Sequence, residues 1–238
     1  MTSTTVAMHM SDGIINAPTS LLFGAVAVAG LGFCAVRTRR TLDDRAVPLA
    51  GLVAAFIFAV QMVNFPVLPG VSGHLLGGAL AAILVGPYTG ALCIGVVLVV
   101  QSLLFADGGV TALGANITNM ALIGSFAGYA VALLALRAAG ARGRTPRGLS
   151  IVGFIAAMIG TVCAATGFII EYLIGGAAFT SISTVAAYMW GTHVLIGIGE
   201  GLITAVTVGA VARSRPDLIY LWRTVPARTS SASARVSA

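Results

Sequence analysis

The chain is 238 residues long, 58% hydrophobic and 8% charged, with a mean hydropathy of +1.01. No soluble globular domain has enough polar surface for that composition, so lipid is the solvent for most of the chain, whose 238 residues allow roughly seven spans of about 20 residues. The net charge of +6 is carried by arginines alone, in three short clusters between apolar runs. That distribution excludes a continuous nucleic-acid-binding face and reads as a topology signal.

Residues 1–17 precede the first apolar run and contain no Lys or Arg, so the chain lacks the basic start of a secretory signal and its first helix is expected to be retained. Seven apolar segments follow: Thr19 to Val36, Val47 to Val63, Leu75 to Val85, Tyr88 to Phe105, Leu113 to Ala135, Leu149 to Ile174 and Met189 to Val211. They predict an all-α membrane protein with about seven transmembrane helices over residues 18–213, the third of them short. Pro87, after Gly86, separates the third segment from the fourth, because proline lacks an amide donor and clashes with the preceding turn. The alternative is one re-entrant piece over the same residues. Residues 214–238, rich in Arg, Ser and Ala, read as a disordered tail.

The arginines discriminate between these topologies. One cluster is Arg37, Arg39, Arg40 and Arg45, the next Arg137, Arg142, Arg144 and Arg147, and the last Arg213, Arg215, Arg223, Arg228 and Arg235. Two passes between Leu75 and Phe105 put all three clusters on one side, whereas a single pass or a re-entrant loop separates the first from the others. The positive-inside tendency therefore places the N-terminus outside and the C-terminal tail in the cytoplasm. All three histidines, His9, His74 and His193, then share the outer side.

Several polar residues stand out against the apolar background. The stretch Met8-His9-Met10-Ser11-Asp12-Gly13 would, if translation started at Met8, offer a free amine, an amide nitrogen and an imidazole to one metal. Such a compact nitrogen set suits nickel, copper and cobalt; without that start, His9 reads as an ordinary loop residue. His74 opens the third segment, flanked by Gly73, Gly77 and Gly78, which admit a second backbone close by. Asn116 and Asn119, three apart, suit either a supporting hydrogen-bond network at a metal site or simple helix packing. Asp107, before two glycines, reads as a turn or cap residue, with metal binding the lesser alternative. His193 and Glu200 share a face of the last helix, with Glu200 near mid-membrane, where an ionisable group is a functional candidate or a hydrogen-bonded lock between helices. Glu171 lies nearer the outer end of its helix and is not expected to be a ligand. Cys34, Cys93 and Cys163 sit singly in separate apolar segments and read as small buried hydrophobes. Ala50 with Ala54, and Ala55 with Ala59, are candidates for close packing against a partner subunit.

Together these stretches resemble the CbiM/NikM family, the substrate-binding membrane subunits of energy-coupling-factor transporters for cobalt and nickel. The likeness runs through Met8 to Gly13, Asn64 to Gly86, Phe105 to Asn116 with Asn119-Met120, and His193 to Glu200 with Thr204, in that order. The resemblance implies a nitrogen-only site made of the amine of Met8, the amide and imidazole of His9 and the imidazole of His74. Residues 1–17 would then be the metal-binding loop, with residues 1–7 a departure that would bury the Met8 amine in a peptide bond unless the mature chain begins later.

The resemblance further implies Co(II) or Ni(II) as bound substrate rather than cofactor. It implies uptake across a bacterial plasma membrane in the service of cobalamin biosynthesis, with ATP hydrolysis in separate cytoplasmic CbiO-like subunits. The other expected partners are a CbiQ-like transmembrane coupling subunit and a small CbiN-like membrane subunit. No GxxxxGK[ST] motif is present, in keeping with an energy source elsewhere. Two rivals stay in view: a self-sufficient secondary transporter or channel, and an intramembrane metalloenzyme, for which there is no HExxH motif.

Overall fold

The computed structural model describes residues 9–40, 46–63, 65–68, 71–176 and 181–225. Nine α-helices are formed among them: α1 (Ala17–Arg39), α2 (Ala46–Gln61), α3 (Gly78–Val85), α4 (Pro87–Leu104), α5 (Leu113–Asn116), α6 (Gly124–Ala139), α7 (Pro146–Gly175), α8 (Ile182–Ser214) and α9 (Tyr220–Thr224). A π-helical segment, Ile117–Ile123, joins α5 to α6. Two short strands, β1 (Phe65–Leu68) and β2 (Val71–Gly73), pair antiparallel between the second and third predicted segments, with Phe65 opposite Gly73. The hairpin delivers the chain directly to His74.

The seven predicted segments correspond to α1, α2, α3, α4, the run from α5 through α6, α7 and α8. Among the described residues, five helical runs are long and apolar enough to cross a membrane by themselves, and α2 is a shorter apolar helix of 16 residues. Their outward faces are apolar: Leu21 and Val28 on α1, Leu104 on α4 and Val206 on α8 are each more than 70% exposed. Helices that are apolar both inward and outward belong in lipid.

Helix α3 is the exception. Its eight residues span about 12 Å, less than half of a bilayer's hydrocarbon, and every one is buried. Neighbouring helices replace lipid around it, which is what allows the irregular backbone at its two ends. Small residues make the enclosure possible: a Cβ on Gly78 would collide with the backbone of Gly124 on α6.

The chain enters α3 beside His74 and leaves it at Gly86, which packs under the ring of Tyr220. Pro87 then stands in the first turn of α4, so the predicted break between the third and fourth segments is present, and two separate helices, a short enclosed α3 and a long α4, connect Leu75 to Phe105. At this end of the molecule the Arg37 guanidinium lies over the rings of Phe33 and Tyr88, at 5.5 and 5.6 Å. Arg144 donates to the Trp222 carbonyl at 3.3 Å, and Arg223 lies 5.6 Å from the centre of Tyr220. Representatives of all three arginine clusters thus gather at the end opposite His9.

Two expectations need correction. Part of the predicted disordered tail is folded: Pro216–Leu218 and α9 are helical, and Ile219 and Leu221 are fully buried. Apolar side chains at 218, 219, 221 and 222 give this stretch something to bury, whereas residues 226–238 lie outside the described residues. The alanine pairs also divide, since Ala50 and Ala54 pack onto the protein's own core while Ala55 and Ala59 face outward. Of the three cysteines expected to be buried, Cys34 and Cys93 are buried free thiols and Cys163 is a half-buried one.

Candidate metal site

The segment before α1 is fastened over the mouth of the bundle by polar contacts from the α4–α5 connection. Asn116 grips the Met10 peptide from both sides, its Oδ1 accepting from the Met10 amide and its Nδ2 donating to the Met10 carbonyl, each at 3.1 Å. The Gly109 amide donates to the same carbonyl at 2.9 Å. Two residues further on, the outward-facing Asp12 accepts from both the amide, at 2.8 Å, and the hydroxyl of Thr111 through Oδ1. Those hydrogen bonds, the hydroxyl's first, hold the Asp12 carboxyl below the usual carboxylate range. Asn16 caps α1 by accepting from the Thr19 amide, and its own amide donates to the Gly175 carbonyl at 2.7 Å.

This fastening drives His9 inward. Its ring sits 4.7 Å from the ring of His74, centre to centre, and both residues are buried. The approach depends on a tight turn after α4, where Ala106 has φ +53° and Gly108 φ +87°. A Cβ on Gly108 would stand 2.9 Å from the Cβ of His9, so glycine is required both for its backbone angle and for room. The turn swings the Asp107 carboxylate to 3.3 Å from His9 Nδ1. Neither ring nitrogen of His9 makes a hydrogen bond. Buried polar groups are almost always paired, and an enclosed imidazole whose Nε2 is unpartnered and whose Nδ1 faces only a carboxylate suits a bound ligand.

His74 is held differently. Its Nδ1 lies 2.9 Å from the Leu75 carbonyl, which can only accept, so Nδ1 carries the proton and Nε2 the lone pair that a metal needs. The backbone beyond it turns through Gly77, at φ +85°, into α3. The Leu76 carbonyl accepts from Gln61 on α2 at 2.9 Å. Glu200 on α8 accepts from the amides of Leu76 and Gly77 and from the hydroxyl of Thr161 on α7. The predicted mid-membrane carboxylate is therefore bonded to the loop as well as to a neighbouring helix.

His9 and His74 line a cavity of about 310 Å³ together with Asn116, Asn119 and His193. The two asparagines do not act as one pair. Asn116 holds the N-terminal loop, whereas Asn119, one turn on in the π-helical segment, donates to Glu171 on α7 at 2.7 Å. His193 donates from Nδ1 to the Met189 carbonyl at 2.8 Å. Among the described residues no three His, Cys, Asp or Glu side chains cluster closely enough to hold a metal ion by themselves. Met8, the remaining predicted ligand, lies outside the described residues. Sequence reasoning passed over Gln61 and read Asp107 first as a turn or cap residue, with metal binding the lesser alternative; the Asp-Gly-Gly run signals the turn, but nothing local indicates that the turn meets His9.

A family model described as CbiM, the cobalt uptake substrate-specific transmembrane region, matches residues 9–218. The chain is 43% identical over 212 residues to a protein of Archaeoglobus fulgidus provisionally named as a fused nickel transport protein, NikMN, covering 89% of this chain and 68% of that one. It is 32% identical over 219 residues to the cobalt transport protein CbiM of Sorangium cellulosum, covering 89% of this chain and 94% of the relative. A crystal structure of a truncated transition metal transporter superposes with a TM-score of 0.74 at 28% identity, over 87% of this chain and 99% of that one. With nearly the full helical bundle matched by model, sequence and structure alike, the chain belongs to the CbiM family of substrate-specific transmembrane proteins for cobalt uptake.

Proposed function

We propose that this protein captures Co(II) or Ni(II) at the outer face of a bacterial plasma membrane, as the substrate-binding subunit of an ATP-driven importer. The observation that carries the reading is the buried His9 imidazole, without a hydrogen bond on either nitrogen and 4.7 Å from the His74 ring. Two imidazoles are too few to hold the ion alone. The Met8 amine and the His9 amide complete a four-nitrogen set, of a kind that suits these metals over the oxygen-preferring Mg(II) and Ca(II).

The surrounding residues act before the metal arrives. Asn116, Gly109 and Thr111 hold the N-terminal loop in place, and the Leu75 carbonyl fixes the tautomer of His74. The Asp107 carboxylate, beside His9, adds negative charge where a divalent cation is to bind. The arginine-bearing end faces the cytoplasm by the positive-inside rule, which leaves the cavity on the outer side. Energy comes from CbiO-like ATPase subunits through a CbiQ-like membrane subunit, and a small CbiN-like subunit assists; relatives named as fused NikMN proteins support that last association. The protein itself is not an enzyme, and cobalt delivered this way serves cobalamin biosynthesis.

The test is intact mass spectrometry of the protein purified from its native membrane, with metal content determined on the same sample. A chain beginning at Met8 with bound cobalt or nickel is the expected result. A chain that retains residues 1–7 and still binds metal removes the amine from the ligand set. His9→Ala and His74→Ala should each abolish high-affinity binding of both ions, and unchanged affinity in either variant excludes that residue from the site.

A further inference from the structure

We infer that Glu200 is the positioning residue of the metal site: from α8 it grips the peptide that presents His74, and so governs how tightly and with what ligand field the metal is held. The inference rests on the metal-capture reading above.

Glu200 is 1% exposed within a 33-residue helix, where an isolated carboxylate is costly. Three donors converge on it. Oε2 accepts from the Leu76 amide at 3.1 Å and from the Thr161 hydroxyl at 2.7 Å, and Oε1 accepts from the Gly77 amide at 3.0 Å. A lock between helices would need only Thr161. Two of the three donors are instead backbone amides lying two and three residues after His74, just ahead of the first turn of α3, where the helix dipole favours negative charge. On the other side of the same peptide, Gln61 donates to the Leu76 carbonyl at 2.9 Å. The backbone at Leu76 is thus fixed from α8 and α2 at once, and the His74 ring, bonded to Leu75, has little freedom left.

The acceptor must be a carboxylate rather than an amide. A glutamine of the same shape has one oxygen and one NH2 group. Whichever position the NH2 takes, it points a donor at the N–H of Leu76 or of Gly77. That amide then either goes unpaired or moves, and His74 moves with it.

The experiment uses the full-length protein in lipid nanodiscs, titrated with nickel or cobalt chloride alone, with the visible absorption of the bound ion recorded at saturation and the melting temperature measured without metal. Glu200→Gln is expected to weaken binding by about 10- to 100-fold and to shift the absorption bands, because groups that orient a ligand act on affinity and geometry together. Thr161→Val, which removes one donor and leaves the carboxylate, is expected to weaken binding severalfold, with recovery in Thr161→Ser. A folded Glu200→Gln protein with wild-type affinity and spectrum overturns the inference. Should that variant not fold, wild-type binding and spectrum in Thr161→Val overturn it instead. Failure of the unaltered protein to bind either metal would overturn the capture reading first, and this inference with it.

Discussion

Asp12 ties the N-terminal loop to the α4–α5 connection through one carboxylate oxygen that takes both donors of Thr111. Its carboxyl is held below the ordinary value, so the contact contributes stability fully above the unfolded carboxylate range and loses it as the pH falls through the depressed value. The latch therefore persists at neutral pH and opens only in acid. Asp12→Ala should weaken cobalt or nickel binding about tenfold at pH 7, by releasing the loop that carries His9; calorimetric titration of the purified protein reads this directly. At this scale the sequence is most informative where one residue type is scarce. Three histidines in 238 residues draw attention to His9 and His74, and the structure brings those two rings together. Gln61 is legible only in three dimensions, because it meets the Leu76 carbonyl across 15 residues of chain. The role of Met8 stays with the proposal.

Among the elements, the connection from α4 to α5 is the most tightly specified. A non-glycine residue at φ +53° followed two residues later by Gly108 at φ +87° turns the chain sharply enough to set Asp107 beside His9. Gly108→Ala should cost more than about 1 kcal/mol of stability, since alanine is disfavoured at that angle and its methyl would press on the His9 Cβ. The check is a lower melting temperature together with metal binding weakened tenfold or more. The sequence marks this element as a turn, through Asp107-Gly108-Gly109, but does not mark its strain. The segmentation into apolar runs carries over well because all of them but the third are long and unbroken. What it misses is the enclosure of α3: eight apolar residues look the same whether lipid or protein surrounds them. Likewise the π-helical segment separates Asn116 from Asn119, which even spacing places on one face.

For the molecule as a whole, the arginine pattern foretold that all three clusters gather at one end of the bundle, because the rule it rests on concerns loops and not packing. Short loops bearing arginine are found at one end and the histidine pair at the other. A cysteine replacing Ser11 should accordingly react with a membrane-impermeant maleimide on intact cells, and one replacing Arg223 only after the cells are opened. The arginine-bearing end is closed by the residues around α9, which the polar composition of the flanking tail conceals. Leu221→Ala should cost roughly 2–5 kcal/mol by leaving a cavity under α3, seen as a drop in thermal or denaturant stability.

The short length of α3 also bears on the order in which the protein can be made. Long apolar helices can leave the translocation machinery for lipid one at a time as they are synthesised, but an eight-residue helix with irregular backbone at both ends has no stable place in lipid alone. It must wait for α6, α7 and α8, and the carboxylate that fastens its leading end belongs to α8, the last long helix to emerge. A nascent chain stalled before α8 would already contain both His9 and His74 and still lack the finished cradle. The metal site is thus a late product of assembly, completed only when the last long helix has been inserted.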